Sequence, residues 1–202
     1  MTGKAKAICR VCGPGGWKLC VDELSGALDR LETTGPDMAP MAPDQAFSAF
    51  KTMAEDIREQ GRVIYLVGNG ASASMASHFS ADLAKNAHLH TQVFTDISLI
   101  TAVANDLCYA EVFVEPLKRR MRQGDLLVCI SSSGNSPNVV NAAAYAKAHG
   151  GLVASLTGMK PDNALRRIGD LNFWVPADSY GLAETAHAAI LHYWMDAVSL
   201  ED

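Results

Sequence analysis

Five short strand-like runs, four of them largely apolar, most constrain what this chain can fold into: Val63–Val67, Thr91–Thr95, Leu126–Ile130, Leu152–Leu156 and Leu171–Val175. Each is too short for a globular helix and lacks the alternation of a strand with one wet face. Such runs read as strands buried on both sides. Helix-like stretches separate them, at about Ser72–Asn86, Tyr109–Arg122 and Pro137–His149, with a short one after Pro161 and a last long helix from about Leu182 to Ser199. Strands alternating with helices predict a three-layer αβα sandwich around a mostly parallel, roughly five-stranded sheet. In such sheets ligands bind beyond the carboxyl ends of the strands. The loops after Val67 and Ile130 are therefore the places to look.

Ahead of the first strand the pattern is weaker. Residues 1–17 hold four of their glycines and prolines together (Gly13, Pro14, Gly15, Gly16) and show no periodicity. Leu19, Leu24, Leu28 and Leu31 predict a helix over 18–33. Thr33 to Pro43 reads as a linker, and Ala46–Gln60 as a second helix that Gly61 ends. The organisation expected is an N-terminal extension over 1–43 and one domain over 44–202. The 202 residues, 49% apolar and 19% charged, suit that size.

Composition also excludes classes of function. A formal charge of −5 leaves no basic stripe for nucleic acid. No run of ~20 apolar residues would span a membrane, and the first twenty residues lack an apolar signal core. The five cysteines (Cys9, Cys12, Cys20, Cys108, Cys129) are an odd count, two of them in apolar or helical stretches, which predicts reduced thiols and a cytoplasmic protein. Cys9, Cys12 and Cys20 fall short of the four ligands of a structural zinc site, since no histidine precedes His78.

The loop after Ile130 reads Ser131-Ser132-Ser133-Gly134-Asn135-Ser136, and Pro137 then opens a helix. Gly134 permits positive φ, so successive backbone N–H groups can curl around an anion. The serine hydroxyls add donors without charge. Pro137 at the first helical position costs no hydrogen bond, and the free N–H groups of the helix start favour a phosphate. A single serine there would be an ordinary N-cap; four in six residues at a strand's carboxyl end predict phosphate binding. No Lys-Ser/Thr pair follows, so this is not a nucleotide P-loop. Gly68-x-Gly70 does not extend to a dinucleotide fingerprint, because residue 73 is Ala73.

These two loops, Gly68-Asn69-Gly70-Ala71-Ser72 and Ser131–Ser136, resemble the hallmark loops of the sugar isomerase (SIS) domain family. The resemblance continues through His78-Phe79, Thr101–Asp106, Leu156-Thr157-Gly158 and Glu184-x-x-His187-x-x-x-x-His192, and points to the phosphoheptose isomerase branch. It implies a flavodoxin-like sheet with N-terminal helices and conversion of sedoheptulose 7-phosphate to a heptose 7-phosphate for surface-polysaccharide precursors. It also implies a cytoplasmic homotetramer with sites at subunit interfaces. By position, the substrate contacts of that branch fall on Asn69, Gly70, Ala71, Asn105, Asp106, Ser131, Ser132, Ser133 and Ser136, with Ser72 beside them. Its catalytic and often zinc-binding cluster falls on His78, Asp82, Glu184 and His192. Two of those four depart from the family pattern, Asp82 standing for Glu and Glu184 for Gln, and Ala71 stands where glycine is usual.

His78 and Asp82, four apart on a predicted helix, share a face. Glu184 and His192 are eight apart, about two turns. Two helices presenting His, Asp, Glu and His to one point would offer zinc four suitable donors. Each side chain alone has an ordinary structural reading: a core histidine, a solvated aspartate, a first-turn glutamate. His187 is a nearby alternative, whereas His88, His90 and His149 sit at element ends. Aldose–ketose isomerisation needs a base for the proton beside the carbonyl and an acid or metal for the oxygen. The expected roles are His192 as acid–base, Asp82 as partner base and Glu184 orienting substrate or binding metal. The competing expectation is a non-catalytic SIS protein that binds a phosphosugar or a protein partner as a regulator. A third is an isomerase of a shorter ketose phosphate.

Overall fold

The structure, a computed structural model, describes residues 15–199; Cys9 and Cys12 lie outside them. Its centre is a parallel block of five strands, β3 (Val63–Gly68), β4 (His90–Val93), β5 (Leu126–Ser131), β6 (Leu152–Thr157) and β7 (Leu171–Trp174). They lie side by side in the order β7-β6-β5-β3-β4. Strand addition reverses direction between β3 and β5, which makes the crevice above their carboxyl ends the topological switch point.

The sheet has seven strands rather than five. The stretch read as a linker instead forms β1 (Glu32–Thr34) and β2 (Pro40–Met41), and β1 pairs antiparallel with both β2 and β7. Of the Pro, Thr and Met residues that suggest a linker, Pro36 and Met38 belong to the hairpin turn, where Asp37 and Met38 take φ of 55° and 61°, while Pro40 lies in β2 and Pro43 opens the next helix. Strands of three and two residues are too short for a period to show. Side chains fix them: Thr33 Oγ1 donates to the Met41 carbonyl at 2.7 Å, and Asn172 Nδ2 donates to Thr34 Oγ1 at 3.2 Å.

One face of the sheet packs against α1 (Gly16–Asp29), α2 (Pro43–Glu59), α3 (Ala71–Asn86) and α7 (Tyr180–Val198). The other carries α4 (Ile97–Asp106), α5 (Val114–Arg120) and α6 (Pro137–Ala148). Successive strand residues point to opposite faces: Ile64, Leu66, Val128 and Ile130 join the first core, while Tyr65, Val67, Leu127 and Cys129 join the second. Helix α4 and the break before α5 differ from the single helix expected over Tyr109–Arg122. Asp96 starts α4 early by accepting from the Leu99 N–H at 2.9 Å, and a 3₁₀ turn at Tyr109–Glu111 separates it from α5. On the first face Trp194 of α7 stacks flat on Phe50 of α2, ring centroids 3.8 Å apart, and its Nε1 donates to the Phe50 carbonyl at 3.1 Å. This contact clamps the helix that carries Glu184 and His192. No described helix is long and apolar enough to cross a membrane.

Candidate functional site

Both expected loops meet at the switch point. The serines of the β5–α6 loop, with Asn69, Ser72, Tyr180 and Glu184, line a cavity of about 190 Å³. Two glycines make the approach possible. A Cβ on Gly68 would lie 2.9 Å from the Ile130 carbonyl and 2.6 Å from the Ser72 Cβ, so only glycine lets α3 start this close to β5. Gly134 has φ +62°, and a Cβ there would come within 2.1 Å of Asn163 Oδ1. Asn163 is buried and cannot yield freely, since that oxygen accepts from the Arg166 N–H at 3.0 Å while its Nδ2 donates to the Lys160 carbonyl.

The serines are not spent on capping. Ser136 is the N-cap of α6, yet its side chain makes no cap hydrogen bond; its hydroxyl meets that of Ser131 at 3.4 Å instead. Asn135 holds the loop's shape by bonding the Ser133 carbonyl at 3.0 Å and accepting from the Ala164 N–H at 3.0 Å. Neutral donors therefore ring a small cavity at a helix N-terminus, an arrangement that suits a phosphate. Gly134→Ala combines left-handed strain with a steric clash, each worth about 1–2 kcal/mol or more. We expect about 2–4 kcal/mol of lost stability by urea denaturation. Phosphate affinity, followed by ³¹P NMR titration, should fall at least about tenfold as the loop distorts.

Three contributors escaped the sequence reading. Asn138, only 1% exposed, exchanges two amide hydrogen bonds with Asn69 at 2.8 and 2.9 Å, tying the glycine loop to the serine loop. Tyr109 donates its hydroxyl to Asn69 Oδ1 at 3.1 Å. Tyr180 closes the cavity at the start of α7. Asn138 sits two residues past the serine loop, and its polarity at a core-facing position of α6 is a signal that could have been read. Tyr109, the other partner of Asn69, comes from distant sequence and carried none.

Helices α3 and α7 both start at the cavity and run away from it side by side. His78 Nε2 lies 3.3 Å from Asp82 Oδ2, the His78 and His192 rings are 5.6 Å apart, and His192 packs edge-on to Phe79 at 4.7 Å. So His78, Asp82 and His192 do form one partly exposed cluster. Glu184 is not in it but in the serine cavity. Eight residues carry α7 about 12 Å and some 80° beyond two full turns, so Glu184 and His192 face different points. The four residues expected to hold zinc are not gathered at one point: among the described residues no three His, Cys, Asp or Glu side chains could hold a metal ion. Gly70 and Ala71 lie at the exposed N-terminus of α3. Asn105 and Asp106 lie exposed at the end of α4, bonded to each other at 2.8 Å, and are not in the cavity wall.

His187, the alternative considered beside Glu184, is fully buried. Neither of its ring nitrogens reaches a hydrogen-bond partner, nor does the buried Thr157 hydroxyl. Burial pulls its pKa down to about 4, opposed only weakly by the nearby Thr157 backbone. The native state thus holds His187 neutral. As pH falls from about 6.5 toward 4, the unfolded chain takes up a proton that the native chain refuses, and stability drops by up to about 3 kcal/mol. His187→Phe should flatten this loss relative to the parent chain when urea midpoints are compared at pH 7.5 and 4.5. An unchanged pH dependence would show that His187 is not the group responsible.

Residues 43–158 match the family model described as SIS domain. The phosphoheptose isomerase of Coxiella burnetii is 33% identical over 163 residues, 77% of this chain and 81% of that protein. That of Thiobacillus denitrificans is 36% identical over 147 residues, 69% of this chain and 75% of that protein. The solved phosphoheptose isomerase of Neisseria gonorrhoeae superposes with a TM-score of 0.77 over 92% of this chain and 95% of its own, at 24% identity, which supports the fold. Two loops meeting at the switch point, the matched family model and these relatives agree: the chain belongs to the SIS domain family, in its phosphoheptose isomerase branch.

Proposed function

We propose that this chain is a phosphosugar isomerase that interconverts sedoheptulose 7-phosphate and D-glycero-D-manno-heptose 7-phosphate by acid–base enediolate chemistry. The observation that carries the reading is the spatial relation of cavity and cluster. The serine loop grips a phosphate at one end, and the His78–Asp82–His192 cluster waits farther along the two helices that start there. This suits a substrate whose reacting carbons lie at the opposite end from its phosphate. Seven-carbon sugar phosphates have that length, and the name shared by the relatives points the same way.

In this reading His192 is the acid–base for the proton that moves between the two carbons, and His78 and Asp82 set its surroundings. Asp82 is the partner base at the oxygen end. Glu184, in the cavity wall, orients the sugar. Among the described residues no three His, Cys, Asp or Glu side chains converge on a zinc ion, so each of these roles falls to the side chains themselves. The exposure of the cluster, and of Trp17, Leu19 and Tyr193 on nearby helices, supports assembly into a homotetramer that covers the site. Light scattering on the purified protein tests that assembly.

The deciding experiment incubates the protein with sedoheptulose 7-phosphate, with and without added zinc, and follows aldose formation by NMR. Turnover is expected. Absence of turnover under both conditions, with phosphosugar still bound, would overturn the isomerase in favour of a binding-only regulator.

A further inference from the structure

We propose that a second anion site, separate from the serine loop, lies at the amino ends of the strands and takes a small polyanion with two or more adjacent phosphate groups. There a groove of about 740 Å³ opens between the start of β3, the edge strand β4 and the end of α5. Its wall includes Arg62, Arg119, Arg120, Arg122 and His90. The whole chain carries a formal charge of −5 with only 17 Lys and Arg residues. Four guanidinium groups on one groove are therefore a local inversion of the protein's charge.

The one carboxylate in the wall does not neutralise them. Asp125 is 2% exposed, and its two oxygens accept backbone N–H groups from Val63 at 3.0 Å and Arg122 at 2.7 Å. Its charge goes to fixing the strand start. Arg119 is held by Glu115 at 2.8 Å, and Arg62 by Gln60 Oε1 at 2.8 Å and the Gln123 carbonyl. Arg120 lies over the Phe94 ring at 5.6 Å, which aims it without giving it an acceptor. Among the described residues neither Arg120 nor Arg122 makes an ion pair.

Cations at the end of a short helix often serve the helix itself. That accounts for Arg119 and Arg120 but not for Arg62, Arg122 or His90, which lie beyond α5. Tyr65 adds a neutral hydroxyl to the wall, its pKa pushed up to about 12 by burial and by Asp125, so it stays a donor. Guanidinium forks match phosphate oxygens two at a time, so two free forks select adjacent phosphates over one. The groove has the volume of a small-molecule site, and an acidic chain without a wider basic surface does not suit nucleic acid. The site lies at the other end of β3 from Gly68, about 17 Å along the strand, so one sugar phosphate cannot fill both.

The test is equilibrium dialysis of the full chain against pyrophosphate and, in parallel, ADP. Ser131→Ala/Ser133→Ala removes the first site, and pyrophosphate should still bind at about one per chain. Arg122→Gln, an exposed position, should weaken that binding about tenfold, and Arg120→Gln/Arg122→Gln further, while sedoheptulose 7-phosphate affinity and the circular dichroism spectrum hold. Equal affinity for both probes identifies the diphosphate as the recognised group; tighter ADP binding identifies a nucleotide. The proposal is overturned if pyrophosphate binding vanishes with the serine substitutions or is indifferent to the arginines, or if neither probe binds at millimolar concentration.

Discussion

Replacing His192 by glutamine should lower kcat for heptose phosphate isomerisation by about 10²–10⁴-fold while leaving phosphate binding within about twofold. The split follows from the architecture. His192 touches His78 and Phe79 but is no part of the serine cavity, so in the proposed mechanism its loss should remove proton transfer and spare the phosphate site. Initial rates by NMR and phosphate affinity by ³¹P titration on the same protein check both halves. An unchanged kcat would remove His192 from the mechanism. Asp82→Glu is the informative companion, because the family pattern has glutamate there. Asp82 already contacts His78 at 3.3 Å, and one methylene changes its reach by roughly 1.5 Å, enough to alter a rate by about 100-fold. A rise in kcat would mean that the shorter side chain limits this chain. A fall would mean that its backbone is already adapted to aspartate.

Trp194→Ala should be the most destabilising single truncation, at about 3–5 kcal/mol. The indole is fully buried, stacks on Phe50 at 3.8 Å and donates to that residue's carbonyl. Its removal leaves a cavity between α2 and α7 and an acceptor without its donor. For a chain of this length that corresponds to a Tm lower by roughly 6–20 °C, measurable by calorimetry. Because α7 carries both Glu184 and His192, activity should fall together with stability, and phosphate binding at β5 should fall less. Trp194→Phe, which keeps the stack and loses only the hydrogen bond, should recover most of the difference.

How the sequence announced each part depends on how local its cause is. Four of the parallel strands, β3, β5, β6 and β7, were legible because burial on both faces forces runs that no other element tolerates at that length; β4 is a half-exposed edge strand, and the alternation of strands and helices rather than its own apolarity marked it. The serine loop was legible because its chemistry is contiguous: hydroxyls, a glycine and a helix-starting proline within seven residues. Strands β1 and β2 were not, since two or three residues bear no period and owe their place to Phe173 and Asn172 across the sheet. Helix α4 was missed for a related reason. Its start depends on one capping aspartate rather than on an apolar stripe.

For the site, His78 with Asp82 was a local inference, four residues apart on one helix, and the structure keeps them in contact. Convergence of Glu184 with His192 was not local, and the helix's rotation separates them into cavity and cluster. The sequence by itself determined the parallel sheet, the two loops and the donors within each, because these follow from residues close in the chain. Only the tertiary structure decided that Asn138 locks one loop to the other, that Glu184 lines the serine cavity, and that four arginines from separate segments share one groove. Those outcomes depend on how distant segments are brought together, and spacing along a chain cannot encode them.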